Sequence, residues 1–214
     1  MVRQGEVAAL PLVDAANARR LRTFGNLTII GAAALMVGAT LTDLGSLTGL
    51  PTLGSLGNAL SAGAGLGLLF LPVGLRASRL GGTGALANVG TACLLIGICL
   101  ASLADVPAIF DPTDLEAGGA LGPLGLVLLS VGFLAWFAAI RQTRALGGWR
   151  KYLFLIAGLW FPLTFPAAQL PLFVIPSDRP SFILLAGVLG LLQFLIGMVL
   201  REQTDDMPNP PKAL

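Results

Sequence analysis

Six long apolar stretches, each almost free of charge, dominate this chain of 214 residues. Each is about 17 to 24 residues long, and about 20 helical residues are needed to cross the hydrocarbon core of a bilayer. Inside a bilayer the backbone must satisfy its own polar groups, which favours helices. The sequence therefore predicts an all-α polytopic membrane protein, a compact bundle of six transmembrane helices. The predicted spans are residues 26–44, 59–75, 85–104, 120–140, 152–175 and 182–200.

Basic residues are distributed unequally between the predicted loops. Of the 13 Lys and Arg residues, Arg179 alone falls on one side of the predicted membrane. Loops on the cytoplasmic side carry the excess of Lys and Arg, so both termini are predicted to be cytoplasmic. The predicted domains are a cytoplasmic segment 1–24 with a short amphipathic helix, the six-helix domain 25–201 and a disordered cytoplasmic tail 202–214. Frequent Leu, Ala, Gly and Arg with few Lys suggest a bacterial protein of the inner (plasma) membrane.

The fourth loop, RQTRALGGWRK, is the most basic short segment between two spans. Its position next to the cytoplasmic leaflet favours contact with anionic lipid headgroups. The lipid-binding residues predicted there are Arg141, Arg144, Arg150 and Lys151. The overall charge of +2 gives no indication of a nucleic-acid partner.

Groups that perform catalysis are scarce in the predicted membrane interior. The chain has no histidine and two cysteines, and Asp43 is the one acid within a predicted span. General acid–base catalysis and metal or haem binding usually require such groups, so we expect no enzyme activity, no cofactor and no metal. Acids also occur in the third loop, where Asp111 before Pro112 favours the start of a short helix over a cation site.

The fifth predicted span contains an unusual number of prolines, in the stretch FPLTFPAAQLP. An interior proline removes one backbone hydrogen bond and frees the carbonyl four residues earlier, so the fifth helix is predicted to be kinked. Freed carbonyls must lie inside the protein or beside a wet cavity. The predicted ligand-binding cavity therefore comprises Pro162, Thr164, Pro166, Gln169 and, from the sixth span, Gln193.

Glycines recur seven residues apart within several spans, which places both members of a pair on one helix face. Such faces allow close helix packing and, alternatively, homo-oligomerisation or docking of a partner helix. The predicted packing glycines are Gly31, Gly38, Gly90, Gly97, Gly125, Gly132, Gly190 and Gly197.

The third and sixth spans also resemble each other. NVGTACLLIGICL (88–100) aligns with VLGLLQFLIGMVL (188–200), including the glycine pair and the sequence LIG. Two halves of three spans would insert with opposite orientation, as in many transporters. Chance matching between apolar sequences is the alternative.

Two functions fit these features. The first is a non-catalytic accessory or interaction subunit that uses its glycine faces as contact surfaces. The alternative is a small carrier or binding protein for a neutral or lipid-like ligand, with its cavity at the kinked fifth helix.

Overall fold

The computed structural model describes residues 15–111, 119–167, 174–175, 179–180 and 183–203. The all-α prediction is confirmed, because helices account for most of the described residues. The helices are α1 (Ala15–Thr48), α2 (Pro51–Leu68), α3 (Phe70–Ser78), α4 (Ala85–Asp105), α5 (Pro107–Phe110), α6 (Leu121–Thr143), α7 (Tyr152–Ala167) and α8 (Val188–Glu202). A π-helical segment, Ile183–Gly187, leads directly into α8. Two short strands, β1 (Val174–Ile175) and β2 (Arg179–Pro180), pair antiparallel.

Five helical segments of the described chain are long and apolar enough to cross a membrane, as a multi-pass membrane protein requires. They are Asn17–Thr48, Pro51–Ser78, Ala85–Phe110, Leu121–Thr143 and Ile183–Glu202. The apolar part of α7 is shorter, Tyr152–Thr164, and residues 168–173 of the predicted fifth span lie outside the described residues. The first helix begins at Ala15 and continues without interruption through the predicted first span. Most of the predicted tail, from residue 204 onwards, also lies outside the description.

Helices α1 and α2 form a close antiparallel pair along a line of glycines. A Cβ atom added at Gly31 would come within 2.7 Å of the Leu68 nitrogen, and one at Gly38 within 2.8 Å of the Gly57 carbonyl oxygen. Only glycine allows the two backbones to approach so closely at these positions. The first glycine pair of the sequence thus contacts the next helix of the same chain.

The remaining predicted packing glycines lie in two further helix pairs. Gly90 and Gly97 of α4 face Gly132 and Gly125 of α6. Gly190 and Gly197 of α8 face α1 at Ala32 and Gly25. Helix α7 packs mainly on α6, where Gly158 contacts Leu134.

The helical backbone is irregular at Leu69, in the π-helical segment and at Val106, which separates α4 from α5. Leu69 separates α2 from α3, three residues before Pro72, whose ring nitrogen cannot donate to the Leu68 carbonyl. The π-helical segment before α8 contains no proline. Its amide at Ile183 donates to Asp43 Oδ2 over 3.0 Å, so a buried carboxylate of α1 caps the start of this segment.

Helix α7 continues past Pro162 to Ala167. Pro162 lies on an exposed face, and the Thr164 hydroxyl donates to the Trp160 carbonyl of the same helix over 2.6 Å. The backbone irregularities nearest to the cavity described below are therefore on other helices.

The two ends of the bundle differ in charge. We call the end that carries Arg76, Arg79, Arg141, Arg144 and Arg201 the basic end, and the end near Asp43, Asp105 and Asp111 the acidic end. At the acidic end, Asp111 follows the short helix α5 as its C-terminal cap, and residues 112–118 lie outside the description.

At the basic end, Arg150 forms an ion pair of 2.9 Å with Glu202, and the Lys151 ammonium lies 5.2 Å from the centre of the Tyr152 ring. Arg141 and Arg144 are exposed. Of the four predicted lipid-binding residues, these two therefore present their charge most openly.

Candidate functional site

A cavity of about 220 Å³ lies between the helices, nearer to the acidic end, and is partly open to the outside of the bundle. Helices α4 and α6 form one side of it with residues from Ile98 to Asp105 and from Gly122 to Leu129. The opposite side is formed by α1, α2, the π-helical segment and α8, and Phe161 of α7 completes the wall. Almost every helix of the bundle therefore contributes to a single internal space.

The cavity wall is largely apolar, with four polar side chains among its residues. Asp105 and Ser102 lie on α4, Ser61 lies on α2, and Gln193 lies on α8. On α4, Ser102 and Asp105 share a face with Ile98 and Ala101, because residues three, four and seven apart lie on one side of a helix. The described lining contains no Lys or Arg.

Gln193 is the most unusual residue of the lining. Its side chain is 1% exposed, and among the described residues no donor reaches its Oε1 atom. An amide oxygen buried without a hydrogen bond costs about 1–3 kcal/mol. A ligand or water in the cavity that donates a hydrogen bond would remove this cost.

Ser61 is a second residue of the cavity wall with an unsatisfied polar atom, and its hydroxyl lies beside Gly38 of α1. It is 5% exposed, and its Oγ likewise finds no hydrogen-bond partner in the described part of the chain. A hydroxyl can donate or accept, so Ser61 can pair with either type of ligand group.

The bundle between the cavity and the basic end is densely filled. Leu71, Leu75, Phe133, Trp136 and Leu200 are all fully buried there. Helix α3 packs against α1, α4 and α8 at this end. In this conformation the cavity is therefore separated from the basic end by several layers of side chains.

The backbone around the cavity is held by hydrogen bonds from neighbouring helices. Trp160 Nε1 of α7 donates to the carbonyls of Leu184 (3.2 Å) and Leu185 (3.3 Å) in the π-helical segment. At the acidic end, Asn58 Nδ2 donates to the Ala108 carbonyl over 2.8 Å and Asn58 Oδ1 accepts from Thr42 Oγ1 over 3.2 Å. These contacts fix α7 against α8, and α5 against α2.

The structure places the predicted cavity residues at different locations. Gln193 lines the cavity, whereas Pro162 and Thr164 of α7 are not part of its lining. Pro166 lies within α7, but its side chain and the whole of Gln169 lie outside the description. The α7 residue that reaches the cavity is Phe161.

Sequence reasoning did not assign Ser102, Asp105 or Phe161 to a site. The signal was available for the first two, because the small and polar residues of α4 recur at helical spacing along one face. Within the described ranges, no three His, Cys, Asp or Glu side chains come together as a metal site.

These features define a helical protein with several helices able to span a membrane and a partly open, mostly apolar cavity, whose wall includes two residues with unsatisfied polar atoms. Comparison of the chain with protein-family models, with curated proteins and with solved structures finds no match.

Proposed function

We propose that this protein is a non-catalytic membrane protein that binds, and as a carrier moves, a small and mostly apolar ligand. The observation that supports this proposal is the buried Oε1 of Gln193, a residue of the cavity wall, which has no hydrogen-bond partner among the described residues. Unsatisfied buried polar atoms are costly, and they occur mainly where a ligand, water or catalysis uses them.

The cavity also indicates the chemistry of the ligand. A volume of about 220 Å³ exceeds the roughly 150 Å³ apolar cavity that accommodates benzene. Gln193 Oε1 and the Asp105 carboxylate require hydrogen-bond donors. Since the described lining lacks a basic residue, it suits a neutral or cationic ligand with an apolar body and an N–H or O–H group, and not an anion.

We further propose that the chain crosses a bacterial inner membrane six times with both termini in the cytoplasm. The concentration of Arg at the basic end supports this orientation. The crossing that is not among the five described ones would be the predicted fifth span, residues 152–175, which begins with α7.

An accessory subunit that docks through glycine faces is supported less well by the geometry. Each of the eight predicted packing glycines contacts another helix of the same chain, so those faces are occupied. A partner would have to bind exposed apolar faces that lipid also covers. The cavity, by contrast, has no such competing explanation.

The experiment that tests the proposal compares ligand retention by three variants purified in mild detergent and examined by native mass spectrometry. Gln193→Leu and Ser61→Ala remove the two unsatisfied polar groups of the cavity. Thr28→Val is the matched control, because Thr28 has an equally buried hydroxyl without a partner in the described structure, but outside the cavity lining.

We expect the wild type and Thr28→Val to retain a small molecule that both cavity variants lose. Retention of the same molecule by all variants would contradict a ligand site at Gln193. Co-purification of a stoichiometric protein, with no small molecule bound, would instead support the accessory-subunit function.

A further inference from the structure

The α4–α6 contact and the α1–α8 contact are built in the same way. In the first, a Cβ added at Gly125 would meet the Gly97 carbonyl oxygen at 2.9 Å and the Ala101 nitrogen at 2.7 Å. In the second, a Cβ at Gly25 would meet the Gly197 carbonyl oxygen at 3.0 Å and the Arg201 nitrogen at 3.2 Å. The residues of the second contact are each one hundred positions from their counterparts in the first.

The correspondence continues along both helix pairs. A Cβ at Gly90 would meet Trp136 at 2.7 Å and the Gly132 carbonyl oxygen at 3.1 Å. A Cβ at Gly190, the counterpart of Gly90, would meet Met36 at 2.9 Å and the Ala32 carbonyl oxygen at 3.1 Å. The same shift of one hundred positions relates these contacts too, and in both the backbone atom is a carbonyl oxygen.

This shift is also the one that aligns residues 88–100 with residues 188–200. A chance match between two glycine-rich apolar helices gives no reason for their partners, α6 and α1, to correspond at the same shift. The alignment of the sequence and the contacts between the helices therefore agree.

We propose that the two halves of the chain are an inverted structural repeat, and that the protein moves its ligand by alternating between two conformations related by this symmetry. In an inverted repeat, each half can adopt the conformation of the other. Exchanging the two conformations opens the ligand site to the opposite face of the membrane, which is the basis of alternating access in many transporters. This inference rests on the proposed ligand site and adds a mechanism to it.

The location of the cavity agrees with this mechanism. Ser61 and Phe161, which occupy corresponding positions in the two repeats, both line the cavity. The repeat axis therefore passes close to the ligand site, which lets one site serve both conformations.

The other lining residues do not occupy corresponding positions in the two repeats, as expected if the structure shows one of the two conformations. On the acidic side it is formed by the α4–α6 pair together with Gln193 of α8. In the related state, the α8–α1 pair would line a cavity at the basic end, with Cys93 of α4 in the position of Gln193. That end is now filled by α3, which must move for the exchange.

The test measures from which face of the membrane a thiol at the repeat axis reacts. Ser61→Cys is nearly isosteric and is made in a background with Cys93→Ala and Cys99→Ala. Membrane-impermeant maleimide is applied to right-side-out and to inside-out vesicles. Ala39→Cys is the control, because Ala39 is fully buried but does not line the cavity.

We expect Ser61→Cys to react from both faces, at least 10-fold faster than Ala39→Cys, and Phe161→Cys, the second reporter, to behave in the same way. Reaction of both reporters from one face only, or from neither face, would overturn alternating access. If ligand retention persists in that case, the binding function stands without the mechanism. If the ligand of the native-mass-spectrometry experiment is absent while both faces react, the binding function fails and the conformational exchange stands.

Discussion

At the scale of single residues, Gly63 and Gly67 show that two small residues spaced four apart do not by themselves identify a helix contact. Both lie on α2, four residues apart. A Cβ at Gly67 would come within 2.7 Å of the Gly31 Cα, whereas a Cβ at Gly63 would meet nothing within 4 Å. The sequence motif is shared, but only one of its members is at a helix contact.

We expect Gly67→Ala to destabilise the protein by about 1–3 kcal/mol, because the α1–α2 backbones must move apart. Gly63→Ala is the matched control and is expected to be neutral or to stabilise by up to about 1 kcal/mol, since alanine is the better helix former. Thermal unfolding of both variants in the same detergent measures the difference. Equal effects at the two positions would contradict the described α1–α2 contact.

Gln193 gives a second prediction at this scale, in which stability and binding change in opposite directions. Gln193→Leu removes a buried oxygen that lacks a partner among the described residues, so we expect the unfolding free energy of the empty protein to stay constant or rise by up to about 2 kcal/mol. Leu189→Ala, on the same helix and in the same lining, should lower it by about 2–3 kcal/mol through the larger cavity. Chemical denaturation of ligand-free protein tests both, and a strongly destabilised Gln193→Leu would indicate an amide that already has a partner.

At the scale of helices, the junction of α7 with the π-helical segment depends on one indole group. Trp160 Nε1 donates to the carbonyls of Leu184 and Leu185 in this segment. Trp160→Phe keeps the ring but removes the donor, so we expect a loss of about 1–2 kcal/mol. Hydrogen exchange across residues 183–190 should become faster.

Trp149→Phe is the control for this prediction. Trp149 lies at the basic end and is 63% exposed, so its replacement should leave hydrogen exchange in that segment unchanged. Unchanged exchange in Trp160→Phe as well would show that other contacts hold the π-helical segment in place.

The sequence predicted the spanning helices well but gave no indication of the π-helical segment. Charge-free stretches were sufficient to predict the five described spanning helices, because crossing a bilayer dictates both length and composition. Prolines indicated irregular backbone in α7, but the π-helical segment has no such signal. Its geometry depends on Trp160 and Asp43, which are distant in sequence, and such tertiary contacts leave no local pattern.

The same reason limits prediction of the cavity. Gln193 was identifiable because an amide in an apolar span needs a partner, wherever the span packs. The contributions of Phe161 and Asp105 depend on how α7 and α4 are rotated within the bundle. Rotation follows from helix contacts that the sequence of one span does not determine.

At the scale of the whole molecule, the number of membrane crossings can be tested without ligand. We expect a reporter that fluoresces only in the cytoplasm to be bright when fused after residue 82, 147 or 203, and dark after residue 115, because the basic end should face the cytoplasm. Since α8 crosses once, equal brightness at 147 and 203 requires a further crossing between residues 152 and 182. A bright fusion at 147 with a dark one at 203 would exclude six spans, and whole-cell fluorescence normalised to expression decides between the two.

Assembly of the two halves gives the last prediction, because their stabilities should differ. The main partner of α6 is α4 and the main partner of α8 is α1, so the C-terminal half finds its principal contacts in the N-terminal half. The N-terminal half instead contains the complete α1–α2 pair. When the chain is divided between residues 115 and 116, we expect residues 116–214 alone to be degraded, residues 1–115 alone to persist at a reduced level, and co-expression to restore both to at least half of the intact amount. Quantitative blotting of membranes measures this, and a C-terminal half that accumulates alone would show that α6, α7 and α8 fold without the contacts described between the halves.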